Sequence, residues 1–116
     1  MRHQRTKKTL GRNYKQRKSL FKNLATSLVL YEKIKTTEAK AGILKPKLEK
    51  MITRSKTSSL HNRRELAKFL TTKGAVDKML EVIGPKYKSR KGGYLRIIKL
   101  GERKGDGAKM AIIEFV

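Results

Sequence analysis

Positive charge is the feature that most constrains this chain, and it is densest at the N-terminal end. Residues 1–20 contain eight Lys or Arg side chains and no acidic residue. Over all 116 residues, 31 basic residues stand against 9 acidic ones, which gives a net charge of +22. Because a small soluble domain typically carries a net charge of only ~2–8 in magnitude, we expect this chain to function with a bound polyanion.

The charge distribution predicts two parts. A segment as basic as the first one cannot bury apolar surface, and its like charges repel one another. We therefore predict a basic extension over residues 1–18, disordered without its bound polyanion, and a single globular domain over residues 19–116. The chain contains no cysteine, which excludes disulfides, thiolate nucleophiles and Cys-ligated metal sites. It also has no apolar run of the ~18 residues that a transmembrane helix needs.

Apolar residues at three- and four-residue steps predict four helices. The first begins within residues 15–19. The second has its N-cap at Thr36 or Thr37, and we expect Pro46 to kink it or fray its start. The third is capped by the Thr- and Ser-containing loop over residues 57–59.

The fourth helix and the strands complete the pattern. A turn over residues 71–74 leads into that helix, and Gly84-Pro85 is a typical stop signal. Three strands are predicted, over residues 32–36, 94–100 and 108–116. A glycine-rich loop joins the last two into a hairpin. The order α-β-α-α-α-β-β indicates an α+β, two-layer fold, with a three-stranded mixed sheet covered by helices on one face.

Catalytic patterns are missing from the sequence. The two histidines, His3 and His61, lie in basic stretches, and no acidic residue is paired with either at helical spacing. No phosphate-binding loop, nucleophile elbow or metal-ligand spacing occurs. We predict that the protein is not an enzyme and that it uses no metal, cofactor or small-molecule substrate.

Three basic groups predict nucleic-acid contacts. The first is the extension. The second is Asn62-Arg63-Arg64, with Lys56 and His61 nearby, and the third spans residues 85–96. In the third group, Gly92-Gly93 allows backbone amides to approach a phosphate closely. Tyr87 and Tyr94 are open to two interpretations, base stacking or packing in the core.

The spread of these groups favours RNA over DNA. A sequence-specific DNA reader concentrates its contacts on one element, whereas folded RNA is recognised largely by its shape and backbone. Two alternatives stay open. Residues 59–84 have the outline of a helix-turn-helix, although Asp77 and Glu81 disfavour entry into a DNA groove. A cationic membrane-surface protein is the other, although the apolar stripes lack an aromatic belt.

Short stretches along the whole sequence match one pattern. They are Met1-Arg2-His3, Gly11-Arg12 with Arg17, Leu24 to Leu28 leading to Ile34-Lys35-Thr36-Thr37, Ala39-Lys40, Asn62-Arg63-Arg64, Gly84-Pro85 with Tyr87 and Arg90, Gly92-Gly93-Tyr94 with Arg96, Arg103 with Gly105 and Asp106, and Met110-Ala111 with Ile113-Glu114. In this order and spacing they are very specific. On these residues the chain resembles the bacterial large-subunit ribosomal protein L-seventeen family.

The resemblance implies a structural constituent of the large ribosomal subunit, acting in translation in the cytoplasm. Its partners would be large-subunit ribosomal RNA and neighbouring ribosomal proteins near the peptide-exit side, with no membrane contact. Together with the basic groups, the resemblance predicts these RNA-binding residues: Arg2, His3, Arg5, Lys7, Lys8, Arg12, Arg17, Lys18, Lys35, Lys40, Arg63, Arg64, Arg90, Lys91, Gly92, Gly93, Tyr94, Arg96 and Arg103.

Overall fold

The computed structural model describes residues 13–116, and its first helix begins at the very start of this range. Helix α1 spans Tyr14–Tyr31. The Asn13 side chain accepts a hydrogen bond from the Gln16 backbone N–H (2.9 Å), while the Gln16 side chain accepts one from the Asn13 N–H (3.2 Å). This capping box satisfies two N–H groups that would otherwise lack partners. As a result, α1 begins earlier than predicted and includes residues 14–18.

The other elements give an α+β fold, which confirms the predicted class. In chain order they are β1 (Lys33–Thr37), α2 (Glu38–Ser55), α3 (Leu60–Phe69), α4 (Lys73–Lys78), a π-helical segment (Met79–Ile83), the short α5 (Gly84–Lys86), β2 (Leu95–Glu102) and β3 (Lys109–Phe115). Two predicted caps are confirmed: the Thr37 hydroxyl accepts from the Lys40 N–H and the Ser59 hydroxyl from the Asn62 N–H. Helix α2 runs on through Pro46.

The sheet is antiparallel throughout, so the predicted mixed sheet is wrong. Its strand order is β1-β3-β2. β2 and β3 form the predicted hairpin, and β1 pairs antiparallel with β3, with Ile34 opposite Ile113. A mixed sheet would require β1 to lie beside β2, to which it runs parallel. Because β3 lies between them, no two neighbouring strands are parallel.

One face of this sheet contributes to the core. Ala111, Ile113 and Phe115 alternate along β3 and are buried, while the residues between them lie on the opposite face. Strand alternation of this kind places every second side chain on the same side. The buried face continues into a cluster that includes Leu28 of α1 and Leu44 of α2. The helices therefore cover one face and leave the other open.

The end of the helical region departs from the prediction. Thr72 caps α4 through a hydrogen bond from the Ala75 N–H, so Gly74 lies inside the helix and not in a turn. The helical chain then continues through the π-helical segment and ends at Lys86, one residue after the Gly84-Pro85 pair where a stop was predicted. In the π-helical segment the Gly84 N–H bonds to the Met79 carbonyl, five residues back. This wider turn precedes Pro85, whose ring clashes with regular α-helical geometry.

Gly84 is also the place where two helical backbones meet. A Cβ atom at this position would lie 2.2 Å from the Ser55 carbonyl oxygen and 3.1 Å from that of Met79. Only a residue without a Cβ allows the end of α2 to approach this closely. The glycine is required by tertiary packing, although the sequence pattern read it as a helix stop.

Candidate nucleic-acid interface

Within residues 13–116, most of the acidic side chains pair with other groups of the protein. All nine lie within residues 13–116. Six form ion pairs: Asp77 with Arg63, Glu65 with Lys68, Glu32 with Lys78, Glu114 with Arg96, Glu38 with Lys99, and Asp106 with Arg103. A seventh, Glu49, accepts a hydrogen bond from the Leu95 N–H at 3.3 Å. Seven of the nine acids are thus paired within the described residues, and with 31 basic residues against 9 acidic ones the chain keeps a large excess of positive charge for external anions.

The second and third basic groups of the sequence meet in the structure. The Lys56 ammonium, just after α2, donates a hydrogen bond to the Arg90 carbonyl in the loop before β2. Two residues earlier, within α2, the Arg54 guanidinium lies 3.5 Å from the His61 ring on α3. Arg64 follows His61 by three residues, which places it on the same side of the helix. The Lys56–Arg90 contact links the two groups, and we call Arg54, Lys56, His61, Arg64 and residues 90–92 together the basic loop face.

The loop itself presents backbone and charge together. Arg90, Lys91 and Gly92 are exposed. Gly93 has a φ of +64°, a conformation that strongly favours glycine. The Arg90 side chain also donates to the Gly92 carbonyl at 3.3 Å. The predicted contact loop is therefore accessible and held in a defined shape.

Tyr94, predicted as an RNA-binding residue, lies in the core. Its side chain is only 1% exposed, and its ring lies 5.3 Å from that of Tyr87. The Tyr94 hydroxyl donates to the Arg90 carbonyl and accepts from Thr53. Hydrogen bonding from Lys56, which has the larger effect, and from Thr53 lowers the pKa of Tyr94. Of the two interpretations left open for Tyr87 and Tyr94, the geometry supports packing, and through Arg90 they support the contact loop from beneath.

Three other predicted contact residues have acidic partners. Arg63 joins α3 to α4 through Asp77 at 2.7 Å, and Arg96 lies 3.5 Å from Glu114 across the sheet. Arg103 forms two hydrogen bonds to the Asp106 carboxylate, at 3.0 and 2.7 Å, within the hairpin loop. These arginines stabilise the fold as well as adding positive charge to the surface.

The hairpin contact makes a prediction about pH. Hydrogen bonds from Arg103 and from the Ala108 N–H hold the pKa of Asp106 well below its usual ~3.9. Because the pKa of Asp106 is lower in the folded than in the unfolded protein, the contact stabilises the fold fully at a pH above the unfolded-state pKa. This stabilisation is lost as the pH falls toward the folded-state pKa. We expect NMR titration of Asp106 to show a depressed midpoint in the wild type and a nearly ordinary midpoint in Arg103→Gln. An unchanged midpoint in that variant would contradict the assignment.

The remaining predicted residues are distributed over several elements. Arg17 and Lys18 lie in the first turns of α1, Lys40 in the first turn of α2, and Lys35 on the open face of the sheet opposite Ile112. Arg2, His3, Arg5, Lys7, Lys8 and Arg12 lie outside the described residues. The structure thus brings the second and third basic groups together and leaves the others on separate surfaces.

A further cationic surface was missed by the sequence reasoning. Helices α1 and α2 flank a groove of about 750 Å³ that we call the α1–α2 groove. Its cationic lining comes from Arg17 and Lys18 of α1 and from Lys47 and Lys50 of α2. The spacing of Lys47 and Lys50 places them on one side of α2, which was a signal available in the sequence. That they face α1 depends on how the two helices pack, which the sequence does not show.

The described residues contain neither a membrane-spanning helix nor a metal-binding group of side chains. Among residues 13–116, no helix is both long and apolar enough to cross a membrane. Within the same range, no group of three or more His, Asp or Glu side chains is placed to hold a metal ion.

The structure is thus a small, strongly basic α+β domain, the class of protein expected to function with a polyanion. The family model for Ribosomal protein L17 matches residues 20–116. The chain is 48% identical to the large ribosomal subunit protein bL17 of Gemmatimonas aurantiaca, over all of this chain and 98% of that protein. It is 51% identical to bL17 of Roseobacter denitrificans, over all of this chain and 83% of that protein. The chain belongs to the ribosomal protein L17 family.

Membership in this family confirms the predicted resemblance and the predictions that depend on it for class of protein and location. The protein is a structural, non-enzymatic component of the ribosome, a ribonucleoprotein, and it acts in translation. In bacteria the ribosome is cytoplasmic, which agrees with the predicted location. The helix-turn-helix and membrane-surface alternatives receive no support from these comparisons.

Proposed function

We propose that this protein is a constituent of the large ribosomal subunit that binds and stabilises folded large-subunit ribosomal RNA. Its mechanism is the neutralisation of phosphates by the basic extension and by Lys and Arg patches on the domain. The proposal rests on the different partners of the acidic and the basic side chains. Seven of the nine acids pair with groups within residues 13–116, whereas the excess cations lie on several surfaces.

The basic loop face is the best-defined RNA contact in this proposal. Lys56, Arg64 and Arg90 supply charge for phosphates, and the accessible Gly92 backbone allows close approach. Such contacts to phosphate and sugar position a protein without reading base sequence. They suit an RNA whose shape is already set by its own folding.

The extension supplies the second contact. Residues 1–12 contain five Lys or Arg residues and no acid, and they lead directly into the capped start of α1. We propose that they order on RNA and thread between its segments, because phosphates remove the repulsion that opposes a single conformation. The protein is expected to lie near the peptide-exit side, beside other large-subunit proteins, with the uncovered sheet face available to a neighbour.

The test is a competition in filter binding. Full-length protein is mixed with labelled large-subunit ribosomal RNA and challenged with duplex DNA at matched salt. We expect a preference for the RNA, and an affinity that falls roughly 10³–10⁵-fold between about 50 and 200 mM salt if six to ten phosphates are contacted. Comigration with large subunits through a gradient is the second readout. A preference for duplex DNA would overturn the proposal.

A further inference from the structure

The α1–α2 groove combines two properties that RNA-binding surfaces of a purely electrostatic kind lack. It is concave, with a volume of about 750 Å³, inside the ~300–1,000 Å³ range of small-ligand sites. It also has an apolar floor beneath its cations. Phe21 forms part of this floor and is 3% exposed, while Ile43 and Phe69 are partly buried against the core.

Two ammonium groups in this groove lie close to aromatic rings. Tyr14 is 68% exposed, and the Lys18 ammonium lies 6.0 Å from its ring centroid. The Lys47 ammonium lies 4.9 Å above the ring of Phe21. An exposed ring beside cations is the arrangement that binds unpaired nucleotides, since the base stacks on the ring and the phosphate meets the charge.

A glycine at the edge of the groove keeps it open. Gly42 lies inside α2, where glycine is less favourable than alanine by about 1 kcal/mol. A Cβ atom at this position would meet no heavy atom within 4 Å. Packing among residues 13–116 therefore does not demand a glycine there, in contrast to Gly84. What its small size does provide is access to the groove.

The positive charge of the groove favours an anionic ligand. Arg17, Lys18, Lys47 and Lys50 line it, and none of its described lining residues is acidic. A cationic groove with an aromatic side chain is complementary to an anionic, planar ligand.

We propose that the α1–α2 groove binds an unpaired nucleotide of RNA, with its base against Tyr14 and Phe69 and its phosphates at Lys47 and Lys50. The inference rests on the proposed RNA-binding function and deepens it. It adds a site for single-stranded RNA to a protein that otherwise contacts backbone. A base that leaves the stack of the folded RNA and binds in this groove would hold the start of α1 against the RNA.

The test uses full-length protein, a fluorescein-labelled oligouridine and an RNA duplex of equal phosphate number. Tyr14→Ala is expected to weaken oligouridine binding about tenfold or more, as loss of a stacked base does, and to change duplex binding much less. Gly42→Leu is expected to do the same by filling the groove without removing charge. Ultraviolet crosslinking of oligouridine should label Tyr14 or Phe69.

Matched controls separate the groove from general effects. Tyr31, at the other end of α1, is 73% exposed, and Tyr31→Ala should leave oligouridine binding unchanged. Gly74→Leu places the same side chain at another open helical glycine and should also have no effect. Equal losses for oligouridine and duplex, or none, would overturn the inference. So would self-association without RNA that Gly42→Leu abolishes, because the occupant would then be a second copy.

The two proposals fail in different ways. If the wild-type protein does not bind large-subunit ribosomal RNA by filter binding, the proposed function fails. If it binds that RNA but the groove variants bind oligouridine as the wild type does, only the nucleotide site fails.

Discussion

Gly84→Ala is expected to lower the free energy of unfolding by about 3 kcal/mol or more, which is a large share of the ~5–15 kcal/mol that stabilises a typical domain. The added Cβ would lie 2.2 Å from the Ser55 carbonyl oxygen and 2.8 Å from its carbon. Both atoms belong to the backbone, so no flexible side chain can move aside. Relief requires α2 and the helical segment around Gly84 to separate, which opens the core between them.

Urea denaturation followed by circular dichroism measures this effect. Gly74→Ala is the matched control, because Gly74 lies in α4 and a Cβ atom there meets nothing within 4 Å. That variant should be unchanged or more stable by about 0.5–1 kcal/mol. If Gly84→Ala were as stable as the control, the close approach of the two backbones would be wrong.

Deletion of residues 1–12 is expected to leave the domain folded and to weaken RNA binding sharply. The cut removes five Lys or Arg residues but preserves the Asn13–Gln16 capping box that starts α1. If each of those cations neutralises one phosphate, the slope of log affinity against log salt should become shallower by about 4. Filter binding to large-subunit ribosomal RNA over a salt series gives the slope, and circular dichroism checks the fold.

A full-length variant with those five cations replaced by glutamine is the matched control for the deletion. It keeps the length of the extension and removes only its charge, so it should reproduce most of the deletion's loss. If the deleted protein bound RNA and entered large subunits as well as the wild type, the extension would have no role in binding.

Features encoded within a few residues were predictable from the sequence. The caps at Thr37 and Ser59 follow from a hydroxyl that can reach an N–H group three residues ahead. The hairpin of β2 and β3 follows from two strand patterns around a glycine-rich loop. The α+β class follows from the order of these local patterns.

Features that depend on distant residues were not predictable. Gly84-Pro85 reads as a helix stop, but the chain stays helical there while α2 packs against it. The direction of neighbouring strands depends on which hairpin strand β1 joins, and nothing local to β1 decides that choice. Both errors come from tertiary packing overriding a local rule.

The same distinction between predictable and unpredictable features holds for the candidate site. Dispersed positive charge, and hence a polyanion partner, is a property of composition. The sequence could not show that Lys56 joins two basic groups, that Arg103 is held by Asp106, or that Tyr94 is buried. The α1–α2 groove was missed because its two walls come from separate helices, each unremarkable by itself.

The pairing of β1 with β3 sets an order of events during synthesis. Ile34 finds its partner Ile113 only when nearly the whole chain has been made, and the Phe115 N–H then bonds to the Glu32 carbonyl. Ribosomes make proteins from the N-terminus, so β1 must wait for β3. Contacts this distant in sequence slow folding. The newly made chain therefore exposes its cations before its core has closed, and an RNA partner can meet it in that state.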